Sequence, residues 1–266
     1  MKSLQFTCAL FAACLLTYTI PVKAQDNGED KIFKKDCIIK QQKDSLAECT
    51  VTIDWPDAGT HKKLKNGITS YFNEQFGYPA DKEWPDKYEM AANCSQNRFK
   101  GLRKEAQNNL DAGIPIHAPY FNNTEIKCIY DNKNVVTYTS TTFLYAGGAH
   151  PITSFVPATF LKKNGEKIGY GIFKNTNSKE FKQAIVSGLK KYFNVKTDKE
   201  LKSCLLDVEN LNEIPLPKSA PYITEDGICL IYGQYEIAPY VYGMPKITFA
   251  GETAKVLIKD GYLLNR

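Results

Sequence analysis

Strand-like alternation in this chain comes in neighbouring pairs. Ile32 to Gln42 is followed closely by Leu46 to Asp54, Thr124 to Tyr130 by Val135 to Tyr145, and Ile152 to Leu161 by Lys167 to Ile172. The connections are short and polar: a turn near Lys43, then Asp131-Asn132-Lys133-Asn134, then Lys163-Asn164-Gly165. Period-two segments joined this closely pair as hairpins. Helical stripes interrupt them singly. Leu64, Ile68, Tyr71 and Phe72 recur within His61 to Gln75. Tyr88, Ala92, Phe99 and Leu102 recur within Asp86 to Leu110, and Phe181, Ile185, Leu189, Tyr192 and Phe193 within Asn177 to Phe193. Each such stripe gives a helix one face to bury. Tyr222 to Tyr235 and Lys246 to Phe249 return to strand-like composition. No repeated βαβ unit with a glycine-rich phosphate loop occurs. The pattern predicts an α+β fold, an antiparallel sheet built from hairpins with two or three helices packed on it. A subdivision near residue 175 is compatible with it.

The first residues set the compartment. Met1-Lys2-Ser3 is a short basic start, Leu4 to about Ile20 is apolar, and Pro21-Val22-Lys23-Ala24 closes the run with small residues placed for cleavage. Residues 1–24 therefore read as a secretory leader and residues 25–266 as the mature domain. An uncleaved anchor and a lipoprotein acylated at Cys14 are the rival readings. No later stretch is long and apolar enough to span a bilayer. The expectation is an exported protein, periplasmic or secreted, with no integral segment once the leader is gone. The formal charge of +5 includes Lys2 and Lys23 of the leader. So small an excess gives no electrostatic basis for binding nucleic acid.

Of the eight cysteines, Cys8 and Cys14 belong to the leader. Cys37, Cys49, Cys94, Cys128, Cys204 and Cys229 remain. An even set in an exported chain predicts disulfides. Sequential pairing is the simplest arrangement. Cys37 and Cys49 flank the turn near Lys43, where an odd-length loop of Gln42 to Asp44 sets them opposite each other. Cys94–Cys128 and Cys204–Cys229 follow from adjacency alone. No C-x-x-C and no histidine pair is present, so neither a metal site nor a cofactor is expected.

Three histidines occur. His61 stands among lysines at a helix start, and His117 lies in a proline-rich loop. His150 closes Tyr145-Ala146-Gly147-Gly148-Ala149-His150-Pro151 between two strands. Paired glycines permit positive φ or close approach, and an imidazole follows directly. Tyr145, Gly147, Gly148 and His150 are therefore candidate binding residues; the alternative is a tight connection whose imidazole satisfies a backbone group. Tyr232 to Gly243 gathers further tyrosines among turn formers. Tyr235, Glu236, Tyr240 and Tyr242 suit a binding platform, since tyrosine offers area and a hydroxyl at low entropy cost. A buried strand and turn is the competing reading. No G-x-S-x-G, H-E-x-x-H or Walker loop appears, so no catalytic residue is assigned. A glycosidase needs only two carboxylates, and among many acids none stands out.

The same two clusters carry a family resemblance. Tyr145 to Pro151 resembles the Y-x-G-G-A-H element of the RsiV-like extracellular domains, also called PdaC/SigV-type domains. In that family a hairpin, a turn like Lys163-Asn164-Gly165-Glu166-Lys167 and a helix follow. Tyr235 to Tyr240 and Gly243 match its later Y-E-I-A-P-Y-x-x-G element. The likeness spans roughly residues 35–260, with the six cysteines and residues 77–120 as departures. It implies an α+β domain displayed outside the membrane. One branch is the outer half of membrane anti-sigma factors that sense lysozyme by binding it, and another is appended to peptidoglycan deacetylases. The resulting expectation is an exported cell-envelope binding module for a lysozyme-like protein or a peptidoglycan-related glycan. An envelope hydrolase with a carboxylate-based site is the alternative, and a purely structural envelope protein a third.

Overall fold

The computed structural model describes residues 35–56 and 60–262. The leader lies outside the described residues. Strands β1 (Lys35–Lys43) and β2 (Ala47–Pro56) form the first hairpin. Its turn is held by Asp44, whose Oδ1 accepts from the backbone N–H groups of Leu46 at 2.8 Å and Ala47 at 2.9 Å. This cap sets the register, with Lys43 opposite Glu48.

The chain then leaves the sheet through two helices. Helix α1 (Lys62–Gln75) buries Leu64, Ile68, Tyr71 and Phe72, the stripe expected from its spacing. Helix α2 (Lys87–Asp111) starts at Asp86, whose Oδ1 accepts from Tyr88 N and Glu89 N. Strand β3 (Tyr120–Asp131) returns beside β2 and runs parallel to it, Ala47 opposite Tyr120 and Ile53 opposite Ile126. Parallel neighbours need a long crossover, and α1 with α2 supplies it. Strands β4 (Val135–Tyr145) and β5 (Ile152–Leu161) add antiparallel, completing a sheet in the order β1-β2-β3-β4-β5. Inward residues of the sheet, such as Ile53, Ile126, Tyr138 and Phe160, meet the helices in one core. Phe72 and Tyr138 pack edge to face at 5.4 Å.

The segment Lys167 to Ile172, expected as a strand, makes one isolated bridge to Phe160 and ends in a 3-10 turn at Tyr170–Ile172. Helix α3 (Lys179–Phe193) begins at Ser178, whose hydroxyl caps Phe181 N, and ends at Asn194 in the left-handed region. Helix α4 (Asp198–Cys204) starts from a Thr197/Glu200 capping box. Strands β6 (Tyr222–Thr224), β7 (Gly227–Ile231) and β8 (Lys246–Phe249) form a second antiparallel sheet, followed by helix α5 (Gly251–Leu257). Phe181, Ile185 and Leu189 of α3 pack against Leu230, Ile247 and Phe249 in its core. The sequence treats Tyr222 to Tyr235 as one strand, but Glu225 and Asp226 turn it back on itself. Among the described residues the architecture is the expected α+β, with five α-helices, one mainly antiparallel sheet and one small antiparallel sheet.

The sheets join through a buried polar clasp. Thr137 Oγ1 donates to Ile223 O at 2.7 Å, and Ile223 N donates to Thr159 Oγ1 at 2.9 Å. The two threonine hydroxyls bond each other at 2.7 Å. Every polar atom in this contact has a partner, as burial requires.

None of the six described cysteines is disulfide-bonded, and none lies at disulfide distance from another. The expected Cys37–Cys49 pairing fails on register: the Asp44 turn sets Cys37 opposite Asp54 and Cys49 opposite Gln42. Cys94 sits instead on the buried face of α2 in the same core as Cys49. Cys128 lies on β3 opposite Tyr138. Cys204 ends α4, whereas Cys229, on the central strand β7, packs with Tyr222 and Ile231. Among the described residues no helix is long and apolar enough to cross a membrane.

Candidate functional site

The two motifs meet, although 85 residues separate His150 from Tyr235. Their meeting point is built from the backbone of the β4–β5 turn. Gly147 and Gly148 both take φ +91°. At Gly147 the room is also closed, because a Cβ there would stand 2.6 Å from the Tyr120 hydroxyl oxygen. That hydroxyl accepts from Asn109 Nδ2 at 2.7 Å, so it has no freedom to withdraw. Tyr145 braces the turn from the other side. Its ring packs edge-on to Tyr120 at 5.9 Å, and its hydroxyl donates to Gly148 O at 3.3 Å.

This geometry leaves His150 at the surface. Its ring stacks on Tyr240 with centroids 3.8 Å apart. Nδ1 lies 3.0 Å from Pro151 O, a pure acceptor, so Nδ1 carries the proton. In the neutral ring Nε2 then accepts from the Tyr235 hydroxyl, 3.2 Å away. The Tyr240 hydroxyl donates to the same Pro151 carbonyl at 3.0 Å. His150, Tyr235 and Tyr240 thus form one hydrogen-bonded set of near-parallel rings.

The loop from Gly233 to Gly243 is fixed to present them. Gln234 Oε1 accepts from Thr153 N at the start of β5, at 2.8 Å. Glu236 serves the loop rather than its surface: one carboxylate oxygen accepts from Gly233 N and the other from Lys218 N, each at 2.6 Å. Tyr235 has φ +61°, the left-handed region. For a bulky residue that conformation costs about 1–2 kcal/mol, and it persists because its neighbours over-determine it. The strain turns the tyrosine outward, 50 % exposed. Val241 follows at 83 % exposure. Tyr242 is pinned by the Tyr192 hydroxyl, which donates to its carbonyl at 2.7 Å, and its ring meets Phe193 edge to face at 5.1 Å. The Tyr242 phenol is held above its ordinary pKa, first by its hydrogen bond with the Cys204 thiol.

The result is a ledge of rings with its polar atoms directed inward. Of the eight residues singled out from the sequence, His150, Tyr235 and Tyr240 meet as rings at the surface, while Tyr145, Gly147, Gly148 and Glu236 shape the two loops. Tyr242 packs instead on Phe193 of α3. Gln234, Tyr120 and Asn109 were not singled out, since each acts through a side-chain contact with a partner remote in sequence. His61 and His117 are exposed and take no part. Among the described residues no group of three metal-ligating side chains comes together.

The ledge also marks a seam between two known sequence families. Residues 39–153 match the family model described as deacetylase PdaC, and residues 171–250 match that of a protein of unknown function, DUF3298. His150 falls in the first match and Tyr235 to Gly243 in the second. Two solved structures share the fold. A DUF3298 family member from Bacteroides fragilis NCTC 9343 superposes with a TM-score of 0.72 at 21 % identity, covering 86 % of this chain and 94 % of its own. A DUF3298 family protein from Pseudomonas aeruginosa PAO1 gives 0.60 at 14 % identity, covering 88 % and 98 %. No curated protein matches. Fold and ledge together define a two-sheet α+β domain with a loop-built surface site. The two adjacent family matches and the shared fold support the resemblance to the PdaC/RsiV-like extracellular domains.

Proposed function

We propose that this chain is an exported cell-envelope recognition module, and that its ledge docks a protein ligand. One observation carries the reading: two distant loops, one of them strained at Tyr235, are cross-bonded to hold aromatic rings outward while their polar atoms are satisfied inward. Exposed tyrosine flanked by an exposed aliphatic residue is the composition of an interface centre. The family resemblance supports a lysozyme-type protein as the ligand and the leader supports an extracytoplasmic location. A peptidoglycan-related glycan stacking on Tyr235 is the alternative ligand. The hydrolase alternative finds little support at the ledge, because Glu236, the acid within the motif, has both oxygens occupied by backbone amides.

The test is a calorimetric titration of residues 25–266 with lysozymes and, separately, with soluble peptidoglycan fragments. Binding to a lysozyme that Tyr235→Ala weakens at least about tenfold is the expected result. Binding to the fragments alone would move the reading to the glycan. Silence in both titrations would sink it.

A further inference from the structure

A second site stands apart from the ledge and shares no residue with it. A cleft of about 760 Å³ opens between α1, the loop of residues 80–88, and the ends of β1 and β2. That volume lies within the range of about 300–1,000 Å³ typical of small-molecule sites.

The loop wall is built in advance. Asn73 of α1 is 1 % exposed, and its Nδ2 donates to the carbonyls of Lys82, at 2.8 Å, and Ala80, at 3.2 Å. Its Oδ1 accepts from the Trp84 indole N–H at 2.8 Å. Trp84 packs edge to face with Tyr78 at 5.1 Å, and Lys82 Nζ lies 4.3 Å from its ring centroid. One buried amide therefore organises the whole loop, and the loop sets Trp84 against the cleft. Trp55 and Pro56 contribute from β2.

The opposite wall is different. Lys65, Asn66 and Ser70 line the cleft from α1. Asn66 and Ser70 are four residues apart and lie on one face of the helix. Among the described residues the side chains of these three have no hydrogen-bond or ion-pair partner. The cleft's charges nearly cancel. Three lysines and four carboxylates line it, Lys87 pairs with Asp36, and Asp86 caps α2.

From these observations we propose that the cleft binds a neutral saccharide of a few rings. Aromatic walls accept the C–H faces of a sugar. Uncommitted amide, hydroxyl and ammonium groups serve its hydroxyls, and charges that nearly cancel give little advantage to an anion or a cation. The proposal does not depend on the ledge having a protein ligand.

The chain supplies its own reporter. Its two tryptophans, Trp55 and Trp84, both line this cleft. Residues 25–266 are titrated with maltotriose, cellotriose and chitotriose while tryptophan emission is followed, and any response is confirmed by calorimetry. The expected result is a saturable emission change with at least one of them. The double variant Asn66→Ala/Ser70→Ala, which removes surface groups without touching a core, binds that sugar at least about tenfold more weakly. Tyr235→Ala binds it normally, which separates this site from the ledge. Circular dichroism confirms that both variants are folded. No response to any of the three sugars up to millimolar concentration overturns the proposal. So does binding that survives Asn66→Ala/Ser70→Ala, or binding that only Tyr235→Ala removes.

Discussion

The ledge and the cleft use tyrosine, tryptophan and amide groups in opposite ways. At the ledge polar atoms are consumed locally: the Tyr235 hydroxyl goes to His150, Tyr240 goes to Pro151, and Glu236 goes to two backbone amides. What remains outside is apolar area on a fixed shape. In the cleft one wall is consumed in the same way, by Asn73, but the other keeps Asn66 and Ser70 unspent. A surface with spent polar atoms suits a large partner that brings its own shape. A cavity with unspent ones suits a small ligand that brings hydroxyls. Similar residue types thus point to different ligands according to where their hydrogen bonds already go.

The strongest way to break the ledge is from beneath. Gly147→Val forces a branched side chain into φ +91° and against Tyr120, and it should cost about 3–4 kcal/mol in urea unfolding. An unfolding midpoint close to that of the parent would mean that the turn is not held as described. The cleft is broken by Asn73→Ala, which removes three hydrogen bonds from a buried position. A loss of about 2–3 kcal/mol is expected, with tryptophan emission shifted to the red as Trp84 becomes wetter. An unshifted spectrum would show that the loop is ordered by something else.

Tyr235→Gly sharpens the contrast. Glycine relaxes the left-handed backbone, so thermal unfolding should report about 0.5–1 kcal/mol of added stability while ligand binding at the ledge is lost. Loss of both stability and binding would argue that the tyrosine is structural.

The smallest effect asks whether either region is stapled covalently. Burial pushes the Cys49 thiol up to about 11 and the Cys94 thiol up to about 12, from an ordinary 9.0, with the nearby Arg98 charge opposing it. Folding therefore favours their protonated forms. The stability this contributes is whole below pH 9 and is lost as pH climbs through 11 and 12. Unfolding free energy should be flat from this source at neutral pH and fall above pH 9. Mass spectrometry after brief alkylation at pH 8 should find exposed Cys37 modified first, with Cys49 and Cys94 protected until urea is added. Peptides cross-linked through any pair of the six cysteines would contradict the unbridged arrangement.

Much of this was legible in the sequence wherever the determinant is local. β4, β5 and β8 fall where alternation places them, and the α1 stripe is the buried face found in the structure. The ledge was legible because turn chemistry and aromatic clustering both leave local marks. Non-local determinants were not. The Cys37–Cys49 expectation failed because three atoms of one aspartate turn decide the register. The strand expected at Lys167 to Ile172 lacks a partner beyond one bridge, which local composition cannot reveal. The cleft was invisible for a related reason. Phe76 to Pro85 is rich in proline, glycine and charge, so its sequence reads only as a loop, and it is the buried Asn73 that turns that loop into a wall.

The parallel contact of β2 with β3 bears on how quickly the native state is reached. Hairpins zip within about 1–10 μs, but this seam joins strands on either side of both long helices and has to wait for them. During that interval the facing edges of β2 and β3 are open templates for intermolecular pairing. Helix α2 lies within that crossover, and it carries Gly101 mid-helix with open space where a Cβ would go. Gly101→Ala adds about 1 kcal/mol of helix propensity there. Stopped-flow refolding of that variant should be faster, with less aggregate at high protein concentration, and an unchanged rate would place the slow step elsewhere.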